Sequence, residues 1–164
     1  MFLLSVLHAA NIVFVDESGL NRYYRREMAR AKRGTRVYDK RSGRRFARTN
    51  VIAGLCGTNH LAVRCYEHST TADFFEDWFE WELLSVVPIG SIIVIDNASF
   101  HRKTKLYDIA AKYGVAVLFL PPYSPELNPI EKSWANLKRW LKDNLVRFPS
   151  IDFAVEWYLL ECCS

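Results

Sequence analysis

Residues 121–140, "PPYSPELNPIEKSWANLKRW", decide how this chain is read. Turn-forming residues come first, then Glu126 and Glu131 five positions apart, then an aromatic and basic segment at helical spacing. Asn128 is placed to cap a helix with Pro129 at its first position. Ile130, Trp134, Leu137 and Leu141 give that helix one apolar stripe. Glu131 therefore stands just inside a helix that follows a stiff loop. Asn128-x-x-Glu131 fits a capping-box-like arrangement, with the glutamate reaching back to the backbone N–H of the cap. The same helix start would also preorganise the carboxylate as a metal ligand. Glu126 competes for that role, but it lies in the loop, where its direction is less well set. The residues by themselves leave both readings open.

Upstream, "NIVFVDES" (11–18) and "GSIIVIDNASFH" (90–101) are short β-branched runs that end in an acid and read as buried strands. "TNVIAGLCGTNHLAVRCYEHS" (49–69) reads as two strands with a turn at Gly57-Thr58-Asn59. "TTADFFEDWFEWELLSVV" (70–87) carries Phe74, Phe75, Trp78 and Phe79 at helical spacing, with Thr71 as its cap, and these aromatics are expected in the core. "KTKLYDIAAKYG" (103–114) reads as a helix closed by Gly114, "VAVLF" (115–119) as another strand, and about 150–162 as a last helix. The order is three strands, helix, strand, helix, strand, helix, helix. Strands joined by tight turns are expected to be antiparallel, and those separated by helices parallel. The expected fold class is α/β: one mixed sheet, three antiparallel strands then two parallel ones, flanked by helices.

The 164 residues suffice for a single domain with a real core, and half of them are hydrophobic. The net charge of +4 conceals a segregated pattern. Between Arg22 and Arg48 twelve Lys/Arg face only Glu27 and Asp39, a local excess of ten, so the remainder carries minus six. A basic segment on an acidic body points to a polyanionic partner, although a solvated basic loop has the same composition. Cys56, Cys65, Cys162 and Cys163 show neither zinc-type pairing nor a disulfide framework. Cys56 and Cys65 are expected as buried thiols of a reducing compartment. The start, "MFLLSVLHAANIVFV", lacks a basic n-region and is too short for a membrane span, so a cytoplasmic protein is expected.

Asp16 and Asp96 each follow an apolar strand, where α/β proteins commonly place ligands. If those strands are neighbours, the two carboxylates converge. Strand-terminal aspartates also simply start turns. Two aspartates with a third acid would form an all-oxygen set suited to hard divalent ions.

"VDES" with Asp16, "IDNASFH" with Asp96 and "PPYSPELNPIEKSWANLKRWL" with Glu131 together resemble the three signature blocks of the DDE transposases of the mariner-type superfamily, especially the bacterial insertion-sequence branch. The resemblance runs from about residue 11 to 145, and thirty-four residues separate Asp96 from Glu131, as in that branch. It implies an RNase H-like fold and a catalytic, metal-binding triad of Asp16, Asp96 and Glu131. It implies Mg²⁺ or Mn²⁺, as two ions ~4 Å apart. The implied reaction is DNA strand cleavage at transposon ends followed by 3′-OH strand transfer into target DNA, with TA as the target dinucleotide. A homodimer is the implied active complex, cytoplasmic and associated with the bacterial nucleoid when bound to DNA.

Asn97 and His101 match the block that lines the site in this family, and Pro122, Ser124 and Pro125 the loop that delivers Glu131. Expected DNA contacts are Arg22, Arg25, Arg26, Arg30, Lys32, Arg33, Arg41, Arg44, Arg45, Arg48, Lys138 and Arg139, which would neutralise backbone phosphates. Tyr23 and Tyr24 among them are candidates for stacking on exposed bases. Full-length relatives carry helix-turn-helix domains ahead of the first catalytic strand. Here the chain reaches Asp16 almost at once, so an isolated catalytic domain without them is expected. A purely hydrolytic RNase H-like nuclease and a non-catalytic DNA-binding or dimerisation remnant are the alternatives.

Overall fold

The computed structural model describes residues 11–21, 48–122 and 124–162. Five strands form one sheet in the order β3-β2-β1-β4-β5. They are β1 Ile12–Asn21, β2 Arg48–Cys56, β3 Asn59–Tyr66, β4 Ile92–Ile95 and β5 Ala116–Phe119. β1–β2 and β2–β3 pair antiparallel, whereas β1–β4 and β4–β5 pair parallel. This is the mixed sheet that the order of elements predicts. The β2–β3 hairpin turns at Gly57, whose φ of +61° suits a residue without Cβ.

β1 is longer than expected. Its ladder with β2 runs from Val13↔Cys56 to Asn21↔Arg48, so Asp16 lies within the strand rather than at its end. The antiparallel partner carries the strand onward after the parallel one has stopped. The β1–β4 ladder spans Ile12↔Ile92 to Val15↔Ile95. Asp16 and Asp96 are therefore the next pair beyond that ladder.

Side-chain alternation splits the core into two layers. On one face Val13, Val15, Ile52, Ile93 and Ile95 pack against α1 (Ala72–Trp78) and α2 (Lys103–Lys112). Phe75, Trp78 and Phe79 are wholly buried there, as their spacing predicts, while Phe74 is only half-buried. Thr71 Oγ1 caps α1 by accepting from the Phe74 N–H, and the helix continues as a π-helical turn over Phe79–Leu83. Gly114, with φ of +66°, follows α2 and turns the chain into β5.

On the other face Leu20, Val51, Ala53 and Leu55 pack against α3 (Ile130–Asn144) and α4 (Ile151–Glu156). The stripe Ile130, Trp134, Leu137 and Leu141 is buried as expected. A hydrogen bond of 2.7 Å between His60 on β3 and Ser133 adds a polar tie to this layer. α4 runs on as a π-helical turn, Trp157–Cys162. Cys56 and Cys65 are half-buried rather than buried, because both lie near the outer side of the sheet, on β2 and edge strand β3. Cys162 and Cys163 are not among the side chains described. No helix of the described residues is long and apolar enough to cross a membrane.

Leu137 is fully buried at the centre of the α3 stripe. Leu137→Ala is expected to lower stability by about 2–5 kcal/mol, through lost burial and a residual cavity. Urea denaturation checks this; a loss below about 1 kcal/mol would show that α3 does not depend on this contact.

Candidate active site

Asp16, Asp96 and Glu131 line one cleft of about 440 Å³ at the end of the β1–β4 ladder, together with Asn97 and Asn128. The loop residues Pro121, Pro122, Ser124 and Pro125 form its far wall. Glu126 sits in a 3-10 turn, Pro125–Leu127, and does not line the cleft, so of the two competing glutamates only Glu131 faces it.

Asp96 emerges where β4 stops. Its Oδ1 accepts from the Ala98 N–H at 3.3 Å, the local turn expected of a strand-terminal aspartate, and from His101 Nε2 at 3.0 Å. The His101 side chain is fully buried behind it, with the Phe75 ring edge-on at 4.4 Å. His101 thus orients a carboxylate. Arg102, next in the chain, pairs with Asp73 and, at 2.7 Å, with buried Glu76, which Lys105 also meets at 2.5 Å. These pairs hold the start of α2, and with it His101, against α1.

Asp16 is held from the opposite side of the sheet. Trp134 Nε1 donates to its Oδ2 at 3.0 Å, so this tryptophan is more than a core residue. Asn128 does not act as the predicted side-chain cap. Its Nδ2 donates to the Val15 carbonyl at 3.3 Å, and no side chain caps α3. The capping box also fails from its other end, because the Asn128 N–H already donates to the Pro125 carbonyl at 3.0 Å. Glu131 is consequently exposed at the cleft rather than folded back on its own helix.

Sequence reasoning missed Asn128 and Trp134 as site-supporting residues, and it missed Glu17. The Glu17 Oε1 is buried without a hydrogen-bond partner. A charged pair, Asp16-Glu17, interrupting an apolar strand was the available signal. Lys138 and Arg139 lie further along α3 and do not line the cleft. Arg22, Arg25, Arg26, Arg30, Lys32, Arg33, Arg41, Arg44 and Arg45 lie outside the described residues, as do Tyr23, Tyr24 and the Arg48 side chain.

The two aspartates differ electrostatically. Burial, then the charges of Glu131 and Asp96, push Asp16 up to about 7. Burial also raises Asp96, but the hydrogen bonds from His101 and the Ala98 N–H, with the attraction of the His101 ring, outweigh it and hold this carboxyl below its usual value. Glu17 is pushed up to about 8 by burial and then by Asp16 and Asp96. The cleft therefore concentrates negative charge that its own surroundings do not neutralise. Hard carboxylate oxygens under mutual repulsion fit a divalent cation chemically. Among the described residues, however, no three His, Cys, Asp or Glu side chains close around one point.

Raised carboxylate pKa values mean that the folded state keeps protons that the unfolded chain releases above about pH 4. That stabilising contribution is complete at lower pH and is lost as pH rises through about 7 for Asp16 and about 8 for Glu17. Cation-free protein should show a falling urea midpoint between about pH 5 and pH 8. Asp16→Asn combined with Glu17→Gln should flatten that slope. A wild-type midpoint that climbs over the same range would contradict the assignment.

Residues 11–152 match the DDE superfamily endonuclease family. The chain is 33% identical over 58 residues to the uncharacterized protein y4pE/y4sA of Sinorhizobium fredii, a segment covering 35% of this chain and 41% of that protein. In fold it is similar to a pre-cleavage Mos1 transpososome, with a TM-score of 0.69, 19% identity, and coverage of 95% of this chain and 50% of that one. A Mos1 mariner paired-end complex with Mg gives a TM-score of 0.57 at 17% identity, covering 95% and 56% of the two chains. The catalytic core domain of BIV integrase gives 0.54 at 14% identity, covering 92% and 82%. The chain thus spans about half the length of the Mos1 chains that it matches. The sheet order and these likenesses give an RNase H-like fold. With its cleft acids on β1, just after β4 and on α3, and the match running through nearly all of the sequence, this chain belongs to the DDE superfamily endonucleases.

Proposed function

We propose that this domain is the catalytic part of a DDE transposase, which cuts DNA at transposon ends and joins the freed 3′-OH to target DNA. The observation that carries this reading is that Asp16, Asp96 and Glu131, far apart in sequence, line one cleft. Asp16, Asp96 and Glu131 would hold two divalent cations, Mg²⁺ or Mn²⁺. When bound, such a pair activates an attacking oxygen and stabilises the leaving one in phosphoryl transfer.

The chain's own residues do the rest. His101 Nε2 fixes the direction of Asp96, and the Trp134 indole does the same for Asp16. Asn97 offers a neutral amide at the cleft, suited to a phosphate oxygen without adding charge. The proline-rich wall keeps Glu131's loop stiff where the DNA backbone must approach. Burial and its acidic neighbours push Asp16 up to about 7, so a cation held there would compete with a proton and would bind better as pH rises.

The partner is DNA, with Arg22 to Arg48 and with Lys138 and Arg139 as backbone contacts, and the active complex a homodimer holding two ends. Support comes from the excess of ten positive charges in the basic segment and from the paired-end form of the Mos1 relatives.

Asp96→Asn should lower Mg²⁺-dependent cleavage of DNA bearing the ends of the encoding element by at least about a thousandfold, since an ion ligand contributes several kcal/mol to the transition state. DNA binding in a gel-shift assay should change by less than about threefold, because phosphate contacts carry it. Equal cleavage by variant and wild type would refute the role of Asp96. Cut but unjoined products from the wild type would make the domain a hydrolytic nuclease.

A further inference from the structure

Asn128 and Trp134 lie three residues before and three residues after Glu131, and they reach consecutive residues of β1. Asn128 Nδ2 donates to the Val15 carbonyl at 3.3 Å, and Trp134 Nε1 donates to Asp16 Oδ2 at 3.0 Å. Both side chains are buried, 4% and 1% exposed. Neither bond is needed to begin the helix. Its first turn is closed by the backbone, with the Glu131 N–H donating to the Asn128 carbonyl at 3.2 Å. Burial of Asn128 is unfavourable in itself, because its Oδ1 has no partner. An apolar side chain would fill the space without that penalty. The amide is thus explained by what its nitrogen holds.

Two bonds to adjacent residues of one strand, one from α3 and one from the residue just before its N-cap, resist both sliding and rotation. Glu131 stands midway between them, on a turn of the helix that points to the cleft. The Trp134 bond also fixes the direction of the Asp16 carboxylate, as the His101 bond does for Asp96.

We propose that Asn128 and Trp134 are a pair of positioning residues that set Glu131 against Asp16. The proposal rests on reading the three acids as a metal-binding set. It gives the spacing Asn-x-x-Glu-x-x-Trp a physical meaning: two anchors and a ligand gathered at the start of one helix.

Trp134→Phe keeps a buried ring and deletes only the donor, and Asn128→Ala deletes the other anchor. Trp78→Phe is the control. It removes a comparable buried indole bond, 2.8 Å to the Ala62 carbonyl, in the core layer on the other face of the sheet. The full chain is titrated calorimetrically with Mn²⁺ alone, and amide hydrogen exchange is followed over residues 130–133.

Trp134→Phe and Asn128→Ala should each weaken Mn²⁺ binding about tenfold, the usual effect of losing a residue that orients a ligand. Together they should weaken it by less than the product, since both act on one joint. Each should speed exchange at residues 130–133 by about fivefold or more, as a local opening becomes easier. Trp78→Phe should lower the melting temperature without either effect. If the two variants match Trp78→Phe, with Mn²⁺ affinity and exchange unchanged, the positioning role is overturned and the residues serve the fold alone. A wild type that binds no Mn²⁺ overturns the metal reading of the cleft instead. Exchange then decides the anchors by itself, and unchanged protection would overturn them.

Discussion

The parallel pairing of β1 with β4, in the register that sets Val15 beside Ile95, is the constraint on which the site depends. One residue further along, both strands present an aspartate, and neither can move away while the ladder holds. A slip of one residue would turn one carboxylate to the other face, because side chains alternate along a strand. The register is secured by burial on both faces. Val13, Val15, Ile93 and Ile95 are wholly or almost wholly withdrawn from water in one layer, while the β2 partners Val51 and Ala53 seal the other. Most of the free energy that brings the acids together thus comes from apolar side chains that never touch the cleft.

Repulsion between the gathered carboxylates is then met unequally. Asp96 has a histidine and a backbone N–H on one oxygen and stays ionised easily. Asp16 has the Trp134 indole and the Glu17 N–H, but deeper burial and two acidic neighbours outweigh them, and it resists ionisation. Glu17, pressed into the opposite layer beside them, resists it further. Such an arrangement is unfavourable for a fold that serves only its own stability, since unpaired buried acid is costly. It suits the cation-holding role proposed for the cleft.

The third acid arrives by a different route. β1 and β4 position the aspartates through the sheet, whereas Glu131 comes on a helix laid across the sheet's other face. A helix packed only by Ile130, Leu137 and Leu141 would have latitude to slide by fractions of an ångström. Polar contacts at Asn128, Ser133 and Trp134 narrow that latitude where Glu131 sits. On the far layer, the charged cluster of Asp73, Glu76, Arg102 and Lys105 does comparable work for His101. Each acid of the cleft is therefore backed by an element from a different layer of the fold.

Much of this was legible in the residues. Short apolar runs marked all five strands, helical spacing and end residues marked four helices, and the hairpin at Gly57 was visible in its turn residues. Glu131 was separable from a cap only by resemblance, because a helix start has the same local chemistry whether its acid faces a backbone N–H or a cleft. What tertiary structure alone decided are the partners across long separations. Trp134 and Asp16 are 118 residues apart and Asn128 and Val15 are 113, and no local pattern encodes which donor meets which acceptor once strand and helix are stacked. Periodicity reports which side of an element faces inward. The direction of one indole N–H within that inward face, and the ionisation of the carboxylate it meets, depend on the packing of three layers at once.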